Sequence, residues 1–151
     1  MTMWNLVKRL FGLKDVTAAG LRRAPKVPAA AIKKKGLEKA HTLSLEVAAK
    51  LWRQAFAHST VKADEFKRLR RFVSREENIT VVCFYTNRTL HVNYDREILA
   101  QVTSANAQTL SPGAKKRLKE IVKVLELGST IETGKTKKFC ERSLKILKKC
   151  K

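Results

Sequence analysis

The spacing of apolar positions changes along this chain, and each change predicts a different element. From Ile79 to Tyr85 the residues run Ile-Thr-Val-Val-Cys-Phe-Tyr, a β-branched and aromatic composition that favours a strand. Thr86, Asn87 and Arg88 make a polar break, after which Leu90, Val92 and Tyr94 alternate with Thr89, His91 and Asn93. Strand composition, a short break and then period two predict an antiparallel hairpin over 79–94. Its first strand is apolar on both faces, so Cys83 is expected as a buried strand thiol. Residues 97–103 fit two patterns: a helix capped by Asp95 with Ile98, Leu99 and Val102 inward, or a third strand with Ile98, Ala100 and Val102 on one face. A lone hairpin is marginally stable, so the third strand is the preferred reading.

The remaining segments carry helical periodicity. In Met1 to Leu13, Met3, Trp4, Val7, Leu10 and Phe11 share a face, with Lys8, Arg9 and Lys14 off it. Thr42 or Ser44 caps a helix to about Ala57, with Ala48, Leu51, Trp52, Ala55 and Phe56 as its stripe,. Ser59 or Thr60 opens another, with Phe66, Leu69, Phe72 and Val73 inward and Asp64 and Glu65 in the dipole-favoured first turn,. Ser111-Pro112-Gly113 is a helix start, and Gly128 is expected at the C′ position,. On that helix Ala114, Leu118, Ile121, Val122 and Leu125 fall within one arc, predicted to pack on the sheet,. A last helix, roughly Lys137 to Lys149, carries Phe139, Cys140, Leu144 and Leu147. The expected fold class is α+β, a small antiparallel sheet packed by helices with basic N- and C-terminal extensions. Residues 1–40 are then an amphipathic helix and a basic arm, 41–128 an α+β core domain, and 129–151 a basic helical tail.

Charge sharpens this division. The 151 residues carry a formal net charge of +20, distributed as +8 over residues 1–40, +3 over 41–77, zero over 78–110 and +9 over 111–151. A neutral middle between basic ends repels itself unless a polyanion is present, which points first to nucleic acid and second to an anionic membrane surface. No apolar run approaches the about 20 residues a membrane-spanning helix needs. Residues 24–39, with Pro25, Pro28 and Lys33-Lys34-Lys35-Gly36, read as an extended basic arm. The first acid is Asp15 and Arg22-Arg23 follows, so the N-terminal helix has the composition of a mitochondrial import sequence or of a docking helix.

Candidate chemistry is sparse. Cys83, Cys140 and Cys150 form no C-x-x-C pair and His41, His58 and His91 are scattered, so free thiols and no metal site are expected. Cys140 and Cys150 would lie on different faces of one helix. The sequons Asn78-Ile79-Thr80 and Asn87-Arg88-Thr89 follow no secretory signal and are read as strand and turn residues,. Gly128 to Thr136 imitates a phosphate-binding loop, but Ser129 occupies the position of its first glycine,. No nucleophile–base arrangement can be singled out, and Asp64-Glu65 and Glu76-Glu77 look like solvated helix ends. The chain is therefore read as a non-enzyme with no cofactor and no small-molecule substrate.

Three family resemblances accompany these patterns. Leu51-Trp52-Arg53 resembles the Leu-Tyr-Arg signature of the LYR-motif mitochondrial proteins, with Trp in place of Tyr. The order helix, hairpin, third strand, helix over about 64–127 resembles double-stranded RNA-binding domains. In that family a Lys-Lys-x-x-x-Lys cluster opens the last helix and grips phosphates; here Lys115-Lys116 and Lys119 stand in the similar place. The same order is similar to the small Alu-RNA-binding subunits of the signal recognition particle, in Glu65-Phe66, Val81-Val82 and Ala107-Gln108.

The expected function is a structural RNA-binding subunit of a large ribonucleoprotein, foremost a mitochondrial ribosomal protein in the matrix that contacts rRNA backbone and neighbouring proteins. The alternatives are an assembly factor or LYR-like adaptor of a mitochondrial complex, or a cytoplasmic Alu-RNA-binding subunit. Membrane contact by the N-terminal helix is the lesser reading of that segment. The expected RNA-contacting residues are Lys33, Lys34, Lys35, Arg70, Arg71, Lys115, Lys116, Lys119, Lys123, Lys137, Lys138, Lys148 and Lys149. Lys115, Lys116, Lys119 and Lys123 share one arc of their helix, and its N-terminus is expected to add a field favourable to phosphate.

Overall fold

A computed structural model describes residues 1–22, 36–104 and 107–151. Among these residues, seven α-helices and two separate two-stranded antiparallel sheets form an α+β fold. The helices are α1 (Met3–Leu10), α2 (Ala18–Leu21), α3 (Leu45–Phe56), α4 (Ala63–Val73), α5 (Val92–Thr103), α6 (Pro112–Ile131) and α7 (Gly134–Leu147). Strand β1 (Leu13–Asp15) pairs with β3 (Thr60–Lys62), and β2 (Leu37–His41) with β4 (Ile79–Cys83).

Local chemistry explains the helix starts. Thr2, Thr17, Ser44 and Ser111 each lie in extended backbone and accept a hydrogen bond from the amide three residues on, satisfying a donor the helix leaves free,. Helix α3 stops at Ala57, which takes the left-handed conformation with φ 54°.

The predicted hairpin is absent. β4 forms where its strand begins, but its partner is β2, with Leu37 opposite Cys83 and His41 opposite Ile79. From Phe84 the chain turns helical, through a π-helical stretch, Thr86–His91, into α5. Thr86-Asn87-Arg88 contains no glycine, and the tight primed hairpin turns need positive φ that none of these residues adopts,. Glu38 of β2 holds the helical course instead: its carboxylate accepts from Asn87 Nδ2 at 2.8 Å and from Arg88 Nε and Nη2 at 3.1 and 3.0 Å. The third strand over 97–103 is likewise helix α5, which buries Ile98 and Leu99. The helix–hairpin–strand–helix order that carried the likeness to RNA-binding domains is therefore not the order of residues 64–127. Nor is β4 covered on both faces: Val81 is 52% exposed and Cys83 is exposed.

The core lies between helices rather than on a sheet. Helix α6 turns Ala114, Ile121, Val124 and Leu125 inward, with Leu118 and Val122 half-buried against the same cluster. The predicted face is thus correct in part, the buried arc being turned toward Arg117, Val124 and Gly128, and it packs on α5 and α7. Residues 134–147, expected in a tail, make a core helix: α7 buries Phe139, Cys140 and Leu147 among α3, α4 and α6. Its Phe139 ring stands 5.5 Å from Trp52, itself 4.4 Å from Phe56. Gly128 does not end α6, which runs on to Ile131. A Cβ there would collide with Cys140 Sγ and come within 2.7 Å of the Phe72 ring, so glycine permits the close approach of α6 to α4 and α7.

Asn78 stitches the two halves of the fold. Its Oδ1 accepts from the Leu43 amide at 2.6 Å, and its Nδ2 donates to the carbonyls of Leu43 and Val73 at 3.1 and 2.8 Å. The sequon asparagine is thus a buried structural residue.

Candidate nucleic-acid interface

Helices α6 and α7 form a hairpin, joined by Glu132 and Thr133. Antiparallel packing sets the start of α6 beside the end of α7. Backbone contacts fix this: the Leu110 amide donates to the Lys151 carbonyl at 2.7 Å, and Gln101 bonds both the amide and the carbonyl of Lys151 at 2.7 Å. Lys115, Lys116 and Lys119 on α6 and Lys148, Lys149 and Lys151 at the end of α7 therefore share one end of the hairpin, and all six are exposed. Among the described residues no ion pair involves any of them.

The other expected contacts separate from this group. Lys123 is exposed further along α6. Lys137 and Lys138 are exposed in the first turn of α7, at the opposite end of the hairpin, beyond much of α6's length of about 30 Å,. Arg71 is exposed, but Arg70 is half-buried and tied down, its Nη2 donating to the Arg22 carbonyl at 3.0 Å. Lys33, Lys34 and Lys35 lie outside the described residues. Lys151 was missed by pattern reading, because its nearness to Lys115 depends on the antiparallel packing and on no local spacing.

The start of α6 is not an open phosphate site. Ser111 Oγ caps the Ala114 amide at 3.3 Å, and the Glu97 carboxylate accepts from the Ser111 amide and hydroxyl at 2.9 and 2.8 Å. A carboxylate of the protein itself already occupies the helix's positive end, so the expected contribution from the helix dipole is taken up internally. What remains for a phosphate is the lysine ammonium groups, which act as point charges on flexible stems.

A second feature sits under α5. Arg117 lies on the inward arc of α6 and is 3% exposed. Its Nε donates to Asp95 Oδ1 at 3.0 Å and its Nη2 to the His41 carbonyl at 3.1 Å. The pair lines a groove of about 530 Å³ together with His41, His91, Arg22 and Arg96. Burial, then Arg22, holds the His41 imidazole below its usual range; burial, then Arg117, does the same for His91. Among the described residues Ser44 is the one hydroxyl in the groove's wall, and its Oγ is engaged in capping α3. These groups form no nucleophile–base pair.

Of Leu51-Trp52-Arg53, which carried the LYR-like resemblance, Leu51 and Trp52 are fully buried in the core and Arg53 is exposed. Among the described residues no cluster of three His, Cys, Asp or Glu side chains could hold a metal ion. No protein-family model, curated protein or solved structure matches the chain.

Proposed function

We propose that this protein is a structural RNA-binding subunit of a large ribonucleoprotein and that it grips phosphate backbone with one end of the α6–α7 hairpin. The observation that carries the reading is the gathering there of Lys115, Lys116, Lys119, Lys148, Lys149 and Lys151, exposed and outside every described ion pair, on a chain of net charge +20. Glu97 of α5, the carboxylate at the start of α6, is engaged by Ser111 and does not neutralise them. No aromatic residue stands among the six, so contact is with backbone, and binding is weakly sequence-selective. Lys137, Lys138 and Arg71 extend the positive field over other faces, as suits a subunit enclosed by RNA and neighbouring proteins. The basic amphipathic N-terminus favours a mitochondrial ribosome in the matrix as the particle, which cell fractionation checks. The adaptor alternative is weaker because Leu51 and Trp52 of the Leu51-Trp52-Arg53 motif are buried and only Arg53 is left to face a partner.

The test is the variant Lys115→Gln/Lys116→Gln/Lys148→Gln/Lys149→Gln. These side chains are exposed, so the melting temperature should not fall. Binding to a double-helical RNA probe should weaken, and the slope of log affinity against log salt should drop by about 0.7–0.9 for each phosphate no longer gripped. The native complex of the parent should sediment as a heavy particle that ribonuclease disperses. A variant that binds RNA and joins its particle as well as the parent would refute the proposal.

A further inference from the structure

Helix α1 is turned the wrong way round for a helix that belongs only to its own fold. An amphipathic helix ordinarily buries its apolar stripe and shows its polar side to water. In α1 the apolar side chains Leu6, Leu10, Met3, Val7, Phe11 and Trp4 span an arc of about 160°. Met3, Leu10 and Phe11 are 81%, 72% and 71% exposed, and Trp4 55%. The helix buries no residue. Its least exposed residues are Val7, half-buried within the stripe, and Lys8 at the stripe's edge, whose Nζ meets Asp15 Oδ2 at 2.7 Å with the side chain only 17% exposed. Most of the stripe is thus left open to solvent, with the Lys8–Asp15 pair at its edge.

We propose that α1 docks in the interface of a lipid bilayer bearing anionic headgroups, lying in its plane with Trp4, Leu10 and Phe11 among the upper acyl chains. Charge complementarity selects this occupant. Residues 1–14 contain no acid, the acid that follows is consumed by Lys8, and Arg9 on the polar side of α1 and Lys14 in β1 are exposed and outside every described ion pair. Those cations meet headgroups while the stripe enters the apolar layer, the division of labour of interfacial helices. Eight residues reach about 12 Å, enough to lie in the interface and far too short to cross it. A flat bilayer receives a stripe that the fold leaves facing outward. Lipid contact uses α1 and RNA contact uses the α6–α7 hairpin, so the two readings stand or fall separately.

The experiment uses the full chain and vesicles of phosphatidylcholine, with and without phosphatidylglycerol. Trp52 is fully buried, so a change in tryptophan emission on adding vesicles reports Trp4. The expected result is a blue shift and quenching by brominated lipid with the anionic vesicles, and little change with phosphatidylcholine alone. Leu10→Ser/Phe11→Ser should weaken anionic-vesicle binding by about tenfold or more at a salt concentration that screens the rest of the surface. The same variant should bind RNA and melt as the parent does. The lysine-to-glutamine hairpin variant should keep the blue shift. Unshifted Trp4 emission, or undiminished binding by the Ser variant, overturns the proposal. So does sedimentation showing a dimer that the Ser variant abolishes, since the stripe would then be covered by a second copy.

Discussion

At the scale of single residues, the decisive contact is between Arg117 and Asp95. Both are buried, and the guanidinium also satisfies the His41 carbonyl. Removing one partner strands the other in a low-dielectric site, whereas removing both with apolar replacements restores packing. Arg117→Met should therefore cost about 3–5 kcal/mol in urea unfolding, and Arg117→Met/Asp95→Leu should recover most of it. The cysteines differ by environment in the same way. Cys83 is exposed, and the Thr86 hydroxyl at 3.0 Å, followed by the Thr86 amide, draws its thiol below the usual range. Burial, then Glu132 and Glu141, pushes Cys140 up to about 12, and burial raises Cys150. Iodoacetamide at neutral pH should modify Cys83 at least about tenfold faster than Cys140 in the folded protein, with the difference vanishing in denaturant. Equal rates, read by peptide mass spectrometry, would show that Cys140 is not enclosed. Cys140 already stood with Phe139, Leu144 and Leu147 on the last helix, but Cys83 was misread from spacing: it sits in an apolar run and reads as buried, whereas its strand belongs to a two-stranded sheet with an open face.

At the scale of elements periodicity was a sound guide, capping a partial one and pairing none: α4 starts after Lys62 with no side-chain cap, not at Ser59 or Thr60, because Thr60 is taken up in β3. Ser44 and Ser111 open α3 and α6 as their side chains dictate, and the stripes of α3, α4 and α6 face the core. These features are set within one or two turns of backbone, where the interacting atoms are sequence neighbours. The hairpin failed because β4 found its ladder in β2, and because Ile98, Leu99 and Val102 also satisfy a helical period. Gly128 shows how an element-level signal can be misassigned: glycine near a helix end suggests a stop, but here it marks a helix–helix contact. Gly128→Ala should thus cost about 1–3 kcal/mol through overpacking, despite alanine's better helix propensity. Adding Cys140→Ala should return part of that cost, and a thermal-melt cycle giving strict additivity would mean the two residues do not meet.

At the scale of the whole molecule, +20 on 151 residues is itself a structural force. The charges sit on exposed lysine arcs of α6 and α7 and on the basic N-terminal segment, with few acids to offset them. Salt or a soluble polyanion should raise the melting temperature, by about 2–4 °C for about 1 kcal/mol of repulsion relieved. A melting temperature that falls with salt would mean that the ion pairs outweigh the repulsion. By itself the sequence determined the α+β class, the Ser44 and Ser111 caps, the inward stripes of α3, α4 and α6, and the strong positive charge, because each depends on neighbouring residues or on composition. Tertiary structure alone decided the rest. Strands of three to five residues carry too little pattern to choose a partner, so β2 and β4 meet only because the helices between them pack. Arg117 could be buried only because α5 brings Asp95 to it. The lysines of α6 join Lys148 and Lys149 only because α7 folds back antiparallel. A hydrophobic stripe on α1 states that the helix has two faces; which face turns outward is seen only in the fold, where β1 follows the helix and Lys8 meets Asp15.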